Sequence, residues 1–325
     1  MQPEITVLMS CYNAEDWLPE AIESVLSQTY QNFEFILVDD GSTDNTLNLI
    51  RKYEQTDSRI KVITKLNTGV SDSLNIGLSQ AQGLWTAKLD ADDICEVTRL
   101  EKQLAFVHAK PKTVLLGTGF VEIDANGSPL KTHQYPSDDK ALKYNLERIL
   151  RFFPHSSAFY RTATVQAIGG YNKDYIIAQD WDLWLRLSEH GELACLNEPL
   201  VRIRKHANQL SHVSSSKTYI IEAHTAIIRH FLRRSGLTNL MTEDSTESIN
   251  FRDWVEKRIG EEGIFEQGKD WVNAREKFFR NKNRLIGGIN FTKQLFSSAH
   301  VGTLIKNKFM GSDLPNRLAQ EWRQN

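Results

Sequence analysis

Three carboxylates stand within the four-residue segment Asp90-Ala91-Asp92-Asp93. In extended backbone, residues two apart point the same way, so Asp90 and Asp92 could present oxygens to one cation. Ligand sets made only of oxygen select hard ions such as Mg²⁺ or Mn²⁺, which keep positions open for phosphate oxygens. The alternative is a solvated acidic turn that caps the next helix. The position of the segment directly after an apolar run favours the metal site.

A second acidic segment, DDGSTD, covers residues 39–44. It is typical of a strand-to-helix loop in which Gly41 makes the turn and Ser42 or Thr43 caps the helix. A carboxylate of Asp39 or Asp40 could also accept a hydrogen bond from a nucleobase imide N–H or a ribose hydroxyl. The two interpretations are compatible.

A third acid, Asp180, precedes Trp181 and Trp184 at helical spacing. It either caps a helix or acts as a general base, and base action requires that it reach an acceptor hydroxyl.

Alternating basic residues mark the segment Arg202-Ile203-Arg204-Lys205-His206. On a strand, Arg202, Arg204 and His206 would share one face. This face is either a charged surface in solvent or a cationic wall for a diphosphate, with His206 as a candidate metal ligand.

Strands and helices must alternate to position these residues. Nearly continuous apolar runs predict strands buried on both faces, and apolar residues at helical spacing predict helices between them. The predicted strands cover residues 5–10, 33–38, 60–64 and 85–89. This alternation implies a mainly parallel sheet with ligands at the carboxyl ends of its strands. Both acidic loops should therefore lie on one rim.

The second half of the chain has an α+β pattern that we expect to extend the same sheet. The predicted elements are a helix at 98–109, a hairpin from 114 through Asn126-Gly127, strands at 159–160 and 193–204, and a helix at 217–235. The sequence thus predicts an α/β fold.

Composition restricts the class of protein. The 325 residues carry a net charge of −2, which favours no charged partner class. The three cysteines, Cys11, Cys95 and Cys195, form no CxxC pair, which disfavours a disulfide framework or a zinc site. The N-terminus lacks the pattern of a signal peptide, and no apolar run approaches the ~18 residues of a membrane span. We expect a cytoplasmic protein.

Seven segments resemble those of the family 2 glycosyltransferases with the GT-A fold, in the family's order over roughly residues 4–235. The pair VDDGSTDNT and LDADD is the most specific. The segments are ITVLMSCYNAEDWLPEAIESVLSQTY, FILVDDGSTDNT, NTGVSDSLNIGLSQAQG, KLDADD, PHSSAFYR…IGGYN, QDWDLWLRLSEHG and EPLVRIRKHANQLS.

The resemblance implies binding roles in the first half. Tyr12 and Asn13, with Asp39 and Asp40, would hold the nucleotide base, most often uracil. Asp90 would approach the ribose and phosphate region. Two residues would bind the metal, Mn²⁺ or Mg²⁺: Asp92 and Asp93.

The resemblance also implies roles in the second half. Asp180 matches the position of the catalytic base. Three residues would lie near the acceptor or sugar pocket: His155, Trp181 and Trp184, although Trp184 also fits a core position.

The chain departs from the family pattern at two positions. Leu74 stands where a basic residue is usual, so the diphosphate would depend more on the metal and on a cation elsewhere. Gln179 stands where the family usually has a glutamate, which removes one carboxylate but leaves Asp180. The candidate cations are Lys65, Lys88 and Arg204.

The resemblance implies a metal-dependent, inverting transfer of a sugar from a nucleotide diphosphate, most often UDP, to a saccharide or lipid-linked saccharide. Cell-surface polysaccharide or lipopolysaccharide synthesis is the commonest use in bacteria, and no nucleic acid is involved. Leu74 and Gln179 leave open a non-catalytic nucleotide-sugar-binding protein. A sugar nucleotidylyltransferase would need a Gly-rich basic loop after the first strand, whereas the sequence there is SCYNAEDW.

We expect two domains. Residues 1–238 form the GT-A domain, with a nucleotide-binding half at 1–110 and an acceptor-binding half at 111–238, and residues 239–325 form a helical extension. Residues 271–325 carry ten Lys and Arg against three acidic residues, interleaved with aromatic and aliphatic residues. This segment either contacts the inner face of the cell membrane or caps the catalytic domain.

Overall fold

The computed structural model describes residues 2–206, 209, 217–234 and 257. Its internal contacts divide the chain into one unit of residues 1–146 and 151–209 and another of residues 147–150 and 210–325. The predicted boundary at residue 238, and the extension apart from Lys257, lie outside the described residues. The helical extension and the membrane contact of residues 271–325 therefore stay predictions.

The first half of the larger unit is a parallel sheet in the order β3-β2-β1-β4. Each predicted strand is confirmed to within one residue at either end. The strands are β1 (Ile5–Cys11), β2 (Phe33–Asp39), β3 (Ile60–Thr64) and β4 (Trp85–Lys88), and the helices between them are α1 (Leu18–Leu26), α2 (Thr46–Thr56) and α3 (Val70–Gln80).

Strands β1 and β2 lie at the centre of this sheet, which explains their apolar sequences. Helix α3 packs closely on them: a Cβ at Gly77 would come within 2.3 Å of the Leu8 side chain. Leu74, from the same helix, is fully buried. The first turn of α3 is therefore fixed close to the ends of β1 and β2.

The second half extends the sheet as expected, in the order β4-β8-β6-β9-β5, with β7 paired to β6. Strand β8 is antiparallel to both β4 and β6, and β9 is parallel to β6. The strands are β5 (Ile94–Cys95), β6 (Thr113–Ile123), β7 (Pro129–His133), β8 (Phe159–Arg161) and β9 (Glu192–Arg204), and the helices are α4 (Arg99–Ala109), α5 (Asp139–Leu146), α6 (Thr162–Ala167) and α7 (Gln179–Leu187), with one 3-10 turn at His155–Ser157.

The predicted hairpin is the β6–β7 pair, and Gly127 in its turn has a φ of 85°. Strand β5 was not predicted, because two residues give no periodic signal. It pairs Ile94 with Arg202 of β9 and so attaches the acidic segment to the basic one.

In the smaller unit, the described part is mainly α8 (Lys217–Arg234), close to the predicted helix. Glu147 accepts a hydrogen bond from Arg234 Nη1 at 3.2 Å. None of the helices in the described part of the chain is long and apolar enough to span a bilayer.

Candidate active site

The carboxyl ends of β1, β2 and β4 bring three groups of predicted residues to one rim of the sheet. Cys11 of β1 lies beside Asp39 of β2, and Leu8 of β1 lies beside Lys88 of β4. Asp40 N donates to Cys11 O at 2.8 Å. We call the residues that follow these three strands, 12–13, 39–44 and 89–93, the donor rim.

The carboxylate of Asp40 is held by the start of α3. It accepts hydrogen bonds from Thr68 N and Gly69 N at 3.0 Å each and forms an ion pair with Lys65. Asp39 accepts from Ser42 N at 3.2 Å and from Thr64 Oγ1 at 3.1 Å. Both carboxylates are buried and fixed. Oδ1 of Asp40 accepts from both Lys65 and Thr68, whereas Oδ2 of Asp40 and the two oxygens of Asp39 each keep a lone pair for a nucleotide group.

The turn after β1 combines an exposed ring with a shaping amide. Tyr12 leaves 50% of its surface exposed. Asn13 adopts a left-handed φ of 47°, and its Oδ1 accepts from Thr43 N at 2.8 Å. Asn13 therefore shapes the loop after β2, while Tyr12 faces solvent.

Asp90 is paired with a buried lysine. Lys88 Nζ donates to Asp90 Oδ1 at 2.6 Å and to Leu89 O at 2.8 Å. Burial alone would raise the pKa of Asp90, but the charge of Lys88, together with hydrogen bonds, lowers it below its ordinary value. Asp90 is therefore ionised at neutral pH.

Asp93 has protein partners on both oxygens. Oδ1 accepts from Arg204 N at 3.0 Å, and the hydroxyl of Ser156 lies 2.5 Å from Oδ2 and 2.6 Å from Asp90 Oδ2. Burial, with the charges of Asp92 and Asp90, raises the pKa of Asp93 well above its ordinary value. This geometry is that of a residue which holds the acidic turn, and metal binding by Asp93 stays a prediction.

Asp92 and His206 face each other, with His206 Nε2 2.9 Å from Asp92 Oδ2. The ring of Trp17 stacks on His206 at a centroid distance of 4.0 Å. His206 Nδ1 is buried without a hydrogen-bond partner. Within residues 2–206 and the other described parts, no three His, Cys, Asp or Glu side chains could hold a metal ion by themselves. Two protein ligands, Asp92 and His206, would suit Mg²⁺ or Mn²⁺, because these ions keep several waters and bind substrate phosphates.

The three predicted phosphate-binding cations already have protein partners. The buried guanidinium of Arg204 donates to Asp92 O at 3.0 Å and to Ala125 O at 2.9 Å, and it pairs with Glu20. Arg204 thus joins the acidic turn to β9. The other two are bound to carboxylates of the donor rim: Lys65 and Lys88. A phosphate-binding role for these three stays a prediction.

Asp180 lies in the first turn of α7 and is partly exposed. Its Oδ1 accepts from Trp181 N at 2.7 Å. Burial raises the pKa of Asp180 to about 6, and the negative charge of Asp90 adds to this, while Lys88 opposes it. A shared site for Asp180 and Asp90 stays a prediction.

His155 adjoins the same site. Its Nε2 lies 2.8 Å from the Tyr171 hydroxyl, and burial, with the charge of Lys88, lowers the pKa of His155 to about 3. Trp184 is fully buried in contact with His155, as the core interpretation expects. Trp181 is also buried and donates to Leu146 O at 3.0 Å. The acceptor role of these three predicted residues is untested.

The two departures from the family pattern have structural counterparts. Leu74 is buried, so its position presents no side chain to the surface. Gln179, in the amide orientation that satisfies its hydrogen bonds, donates to Ile177 O at 2.9 Å. Both residues therefore serve the packing of their own segments.

Three site residues were missed from the sequence: Trp17, Ser156 and Tyr171. Trp17 contacts His206, and Ser156 binds Asp93. The two members of each pair are distant in sequence, so no local sequence pattern indicates these contacts. All three residues did lie in segments that carry the family resemblance, and this was the available hint.

Known proteins with similar sequences and folds are glycosyltransferases. An uncharacterised glycosyltransferase of Haemophilus influenzae is 36% identical over 220 residues, which cover 65% of this chain and 68% of that protein. The O-antigen biosynthesis glycosyltransferase WbnJ of Escherichia coli is 28% identical over 245 residues, which cover 73% of this chain and 92% of WbnJ.

Two solved structures share the fold. S. aureus TarS 1-349 in complex with UDP-GlcNAc superposes with a TM-score of 0.61 at 18% identity, covering 99% of this chain and 92% of the TarS 1-349 chain. The mannosyltransferase PcManGT from Pyrobaculum calidifontis in complex with GDP-Man and Mn²⁺ gives a TM-score of 0.54 at 15% identity, covering 94% and 88%. The predicted GT-A fold is confirmed. A sequence model of the family described as "Glycosyl transferase family 2" matches residues 6–169, about half of the chain, and the chain belongs to this family.

Proposed function

We propose that this glycosyltransferase is metal-dependent and inverting, and that it transfers a sugar from a nucleoside diphosphate to an acceptor hydroxyl. One observation carries the proposal. A partly exposed carboxyl, Asp180, stands in the first turn of α7, and burial raises its pKa to about 6. Perturbed carboxyls in such a position are candidates for a general base.

The donor rim suits a nucleotide. The exposed ring of Tyr12 offers a face on which a base can stack, and the fixed carboxylates of Asp39 and Asp40 can accept from an imide N–H or ribose hydroxyls. The donor of the TarS complex is UDP-GlcNAc, which supports testing UDP-sugars first.

The metal would be held by Asp92 and His206, with Asp93 supporting the turn. When bound, Mn²⁺ or Mg²⁺ supplies a Lewis acid that neutralises charge on the departing diphosphate. The Mn²⁺ of the PcManGT complex supports this assignment. The two-residue donor set leaves coordination positions for phosphate oxygens.

Asp180 would remove the proton from the acceptor hydroxyl. The hydroxyl oxygen then forms a bond to the anomeric carbon while the bond from that carbon to the diphosphate oxygen breaks, and its electron pair stays with the diphosphate. A single displacement inverts the anomeric configuration. With a pKa of about 6, Asp180 is mostly ionised at pH 7 and more basic than an ordinary aspartate.

The acceptor is a saccharide or lipid-linked saccharide, and the product belongs to a cell-surface polysaccharide or lipopolysaccharide. The O-antigen role in the name of the relative WbnJ supports this. We expect the enzyme to act in the cytoplasm, where nucleotide sugars are available.

The proposal is tested with a panel of nucleotide sugars in the presence of Mn²⁺. Thermal shift identifies the donor that stabilises the protein, because a ligand that binds only the folded state raises its stability. UDP release from that donor then reports hydrolysis or transfer. Stabilisation without turnover, with or without acceptor extracts, would identify a non-catalytic nucleotide-sugar-binding protein instead.

A further inference from the structure

The side chain of Asn75, on α3, binds both backbone polar groups of Tyr171. Asn75 Nδ2 donates to Tyr171 O, and Asn75 Oδ1 accepts from Tyr171 N, each at 2.7 Å. Tyr171 belongs to the segment between α6 and α7, ahead of Asp180. A single amide thus holds this segment much as a neighbouring strand would.

Gly170 packs too closely against Asn75 to allow a side chain at position 170. A Cβ on Gly170 would lie 2.3 Å from Asn75 Oδ1, and Gly170 adopts a φ of +70° that other residues rarely take. Glycine is therefore required at position 170 both for its conformation and for the approach of Asn75.

Helix α7 holds the same segment from the other side. Arg186 donates to Ile168 O at 3.0 Å and to Gly170 O at 2.6 Å, and its guanidinium pairs with Asp182 at 2.8 Å. Asp182 and Arg186 share a helix with Asp180. The segment between α6 and α7 therefore joins α3, in the first half of the chain, to the helix that carries the candidate base.

The side chain of Tyr171 extends from this anchored backbone into the site. Its ring is buried, and its hydroxyl lies 2.8 Å from His155 Nε2. Burial is the main cause that raises the pKa of Tyr171, and the charges of both Asp180 and Asp90 raise it further. The next residue after His155, Ser156, binds Asp90 Oδ2 at 2.6 Å, and Arg186 of α7 binds Gly170 O, so contacts link Tyr171 both to the donor rim and to the helix of the candidate base.

We propose that Asn75 is a positioning residue for the transfer reaction. By fixing Tyr171, it holds the Tyr171 side chain as the wall of the site beside Asp180, and so sets the direction in which that carboxylate faces the acceptor. This inference rests on the proposed function. A displacement of about 1 Å remote from the reacting atoms can cost about 10²-fold in rate, so such a contact can matter without touching substrate.

A second contact between the same two elements provides a matched control. Lys173 forms an ion pair with Asp72, in the first turn of α3, and 65% of the Lys173 side chain is exposed. Exposed ion pairs typically contribute little to stability, and this one fixes no backbone group. Its loss should leave the wall in place.

The test compares Asn75→Leu and Gly170→Ala with Lys173→Met. Turnover is measured as UDP release by donor hydrolysis, using the donor identified by the panel, so that no acceptor is needed. We expect the first two variants to lower kcat about 10- to 100-fold, with the dissociation constant for UDP and Mn²⁺ unchanged by calorimetry. Lys173→Met should match the wild type in both measurements.

The pH profile separates positioning from simple stabilisation. The charged and titratable groups that act on Asp180 include Asp90, Lys88 and Tyr171. If Asn75 holds the Tyr171 side chain beside Asp180, Asn75→Leu admits water to Asp180. Less burial lowers the pKa of Asp180, so the acid limb of kcat moves to lower pH. A merely structural role would lower the melting temperature and leave both kcat and the acid limb unchanged, which would overturn the inference.

Asn75→Asp covers the case in which Asn75→Leu folds poorly, since it keeps the acceptor for Tyr171 N and replaces the donor by a carboxylate oxygen that repels Tyr171 O. We expect its kcat to be intermediate, and wild-type kcat would contradict the inference. An active wild type with a fully active Asn75→Leu rejects Asn75 as a positioning residue alone. A wild type that releases no nucleotide from any donor, with or without acceptor extracts, rejects the proposed function and, with it, this inference.

Discussion

The carboxylates of the donor rim and the carboxyl of Asp180 differ in what stabilises their charge. Asp40 accepts two backbone N–H groups and pairs with Lys65, and Asp90 pairs with the buried Lys88. Asp180 accepts a hydrogen bond from Trp181 N, and burial raises its pKa to about 6. Lys88 thus keeps Asp90 ionised, whereas burial at the start of α7 favours the protonated form of Asp180. Asp93 is the rim residue that resembles Asp180, because burial and the charges of Asp92 and Asp90 raise its pKa.

This difference follows from the two tasks. In Asp90, the charge of Lys88 and hydrogen bonds hold the pKa below its ordinary value, which suits a carboxylate that has to stay charged. A general base must gain affinity for a proton, which burial provides. The same residue type would therefore serve binding on the rim and proton transfer on α7.

The largest effect is expected for Asp180→Asn. The amide keeps the shape of the side chain but cannot accept the proton, so kcat should fall by about 10²- to 10⁴-fold. Donor affinity, measured by calorimetry with UDP and Mn²⁺, should be unchanged because the rim is intact. Glu192→Gln, at the exposed start of β9, is the control. Retained kcat in Asp180→Asn would remove Asp180 as the base.

The next largest effect is expected for Asp92→Ala. Loss of this carboxylate removes one of two protein ligands, so the enhancement of UDP binding by Mn²⁺ should disappear in calorimetry. Chelation of the metal in the wild type should give the same result. Asp16→Ala, an exposed acid close in sequence to Trp17, should keep the enhancement. If Asp92→Ala retains it, the metal lies elsewhere.

The pH profile tests the raised pKa of Asp180 directly. Below pH 6 the carboxyl is protonated and cannot act as a base, so kcat should fall about tenfold per pH unit on the acid side and level off above pH 7. The contribution of Asp180 to folding stability changes with pH in the opposite direction to kcat. A raised pKa means that folding favours the neutral form, so stability from Asp180 is full below its ordinary value of 3.8 and is lost as pH rises through 6.

Asp180→Asn should therefore melt at an equal or higher temperature than the wild type at pH 8, even though it is less active. A lower melting temperature at pH 8, or an acid limb near pH 4 in the wild type, would show that Asp180 is not held in a proton-favouring site.

The sheet and its rim could be predicted because their signals are local. The apolar runs of β1 and β2 and the loops that follow them stand in single stretches of sequence, and parallel topology then places Asp39, Asp40 and Asp90 on one edge. The assignment of Asp180 as the base came from its place in a family segment and stays a prediction, while its position in the first turn of α7 agrees with the helical spacing of that segment.

The partners of the charged residues could not be predicted. Asp93 is bound by Ser156 and Arg204, which lie 63 and 111 residues further along the chain. Lys65, Lys88 and Arg204 read as free cations in sequence, yet each is bound to carboxylates that depend on tertiary structure. Charge type is visible in a sequence, but which opposite charge it meets is decided by packing.

The smallest effect is expected for Tyr12→Ala, because half of the ring is exposed and its stacking on a base is only partly desolvated. Aromatic pairs contribute about 0.5–1.5 kcal/mol beyond the area they bury, so UDP affinity should weaken about two- to tenfold. Tyr12→Phe should keep wild-type affinity, since the ring face and not the hydroxyl makes the contact. Both variants should keep kcat at saturating donor, because Tyr12 is on the rim and not beside Asp180. A fall in kcat with unchanged UDP affinity would contradict the assignment of binding to the rim and proton transfer to α7. The Tyr12 variants therefore test the role of the rim, as Asp180→Asn tests the role of α7.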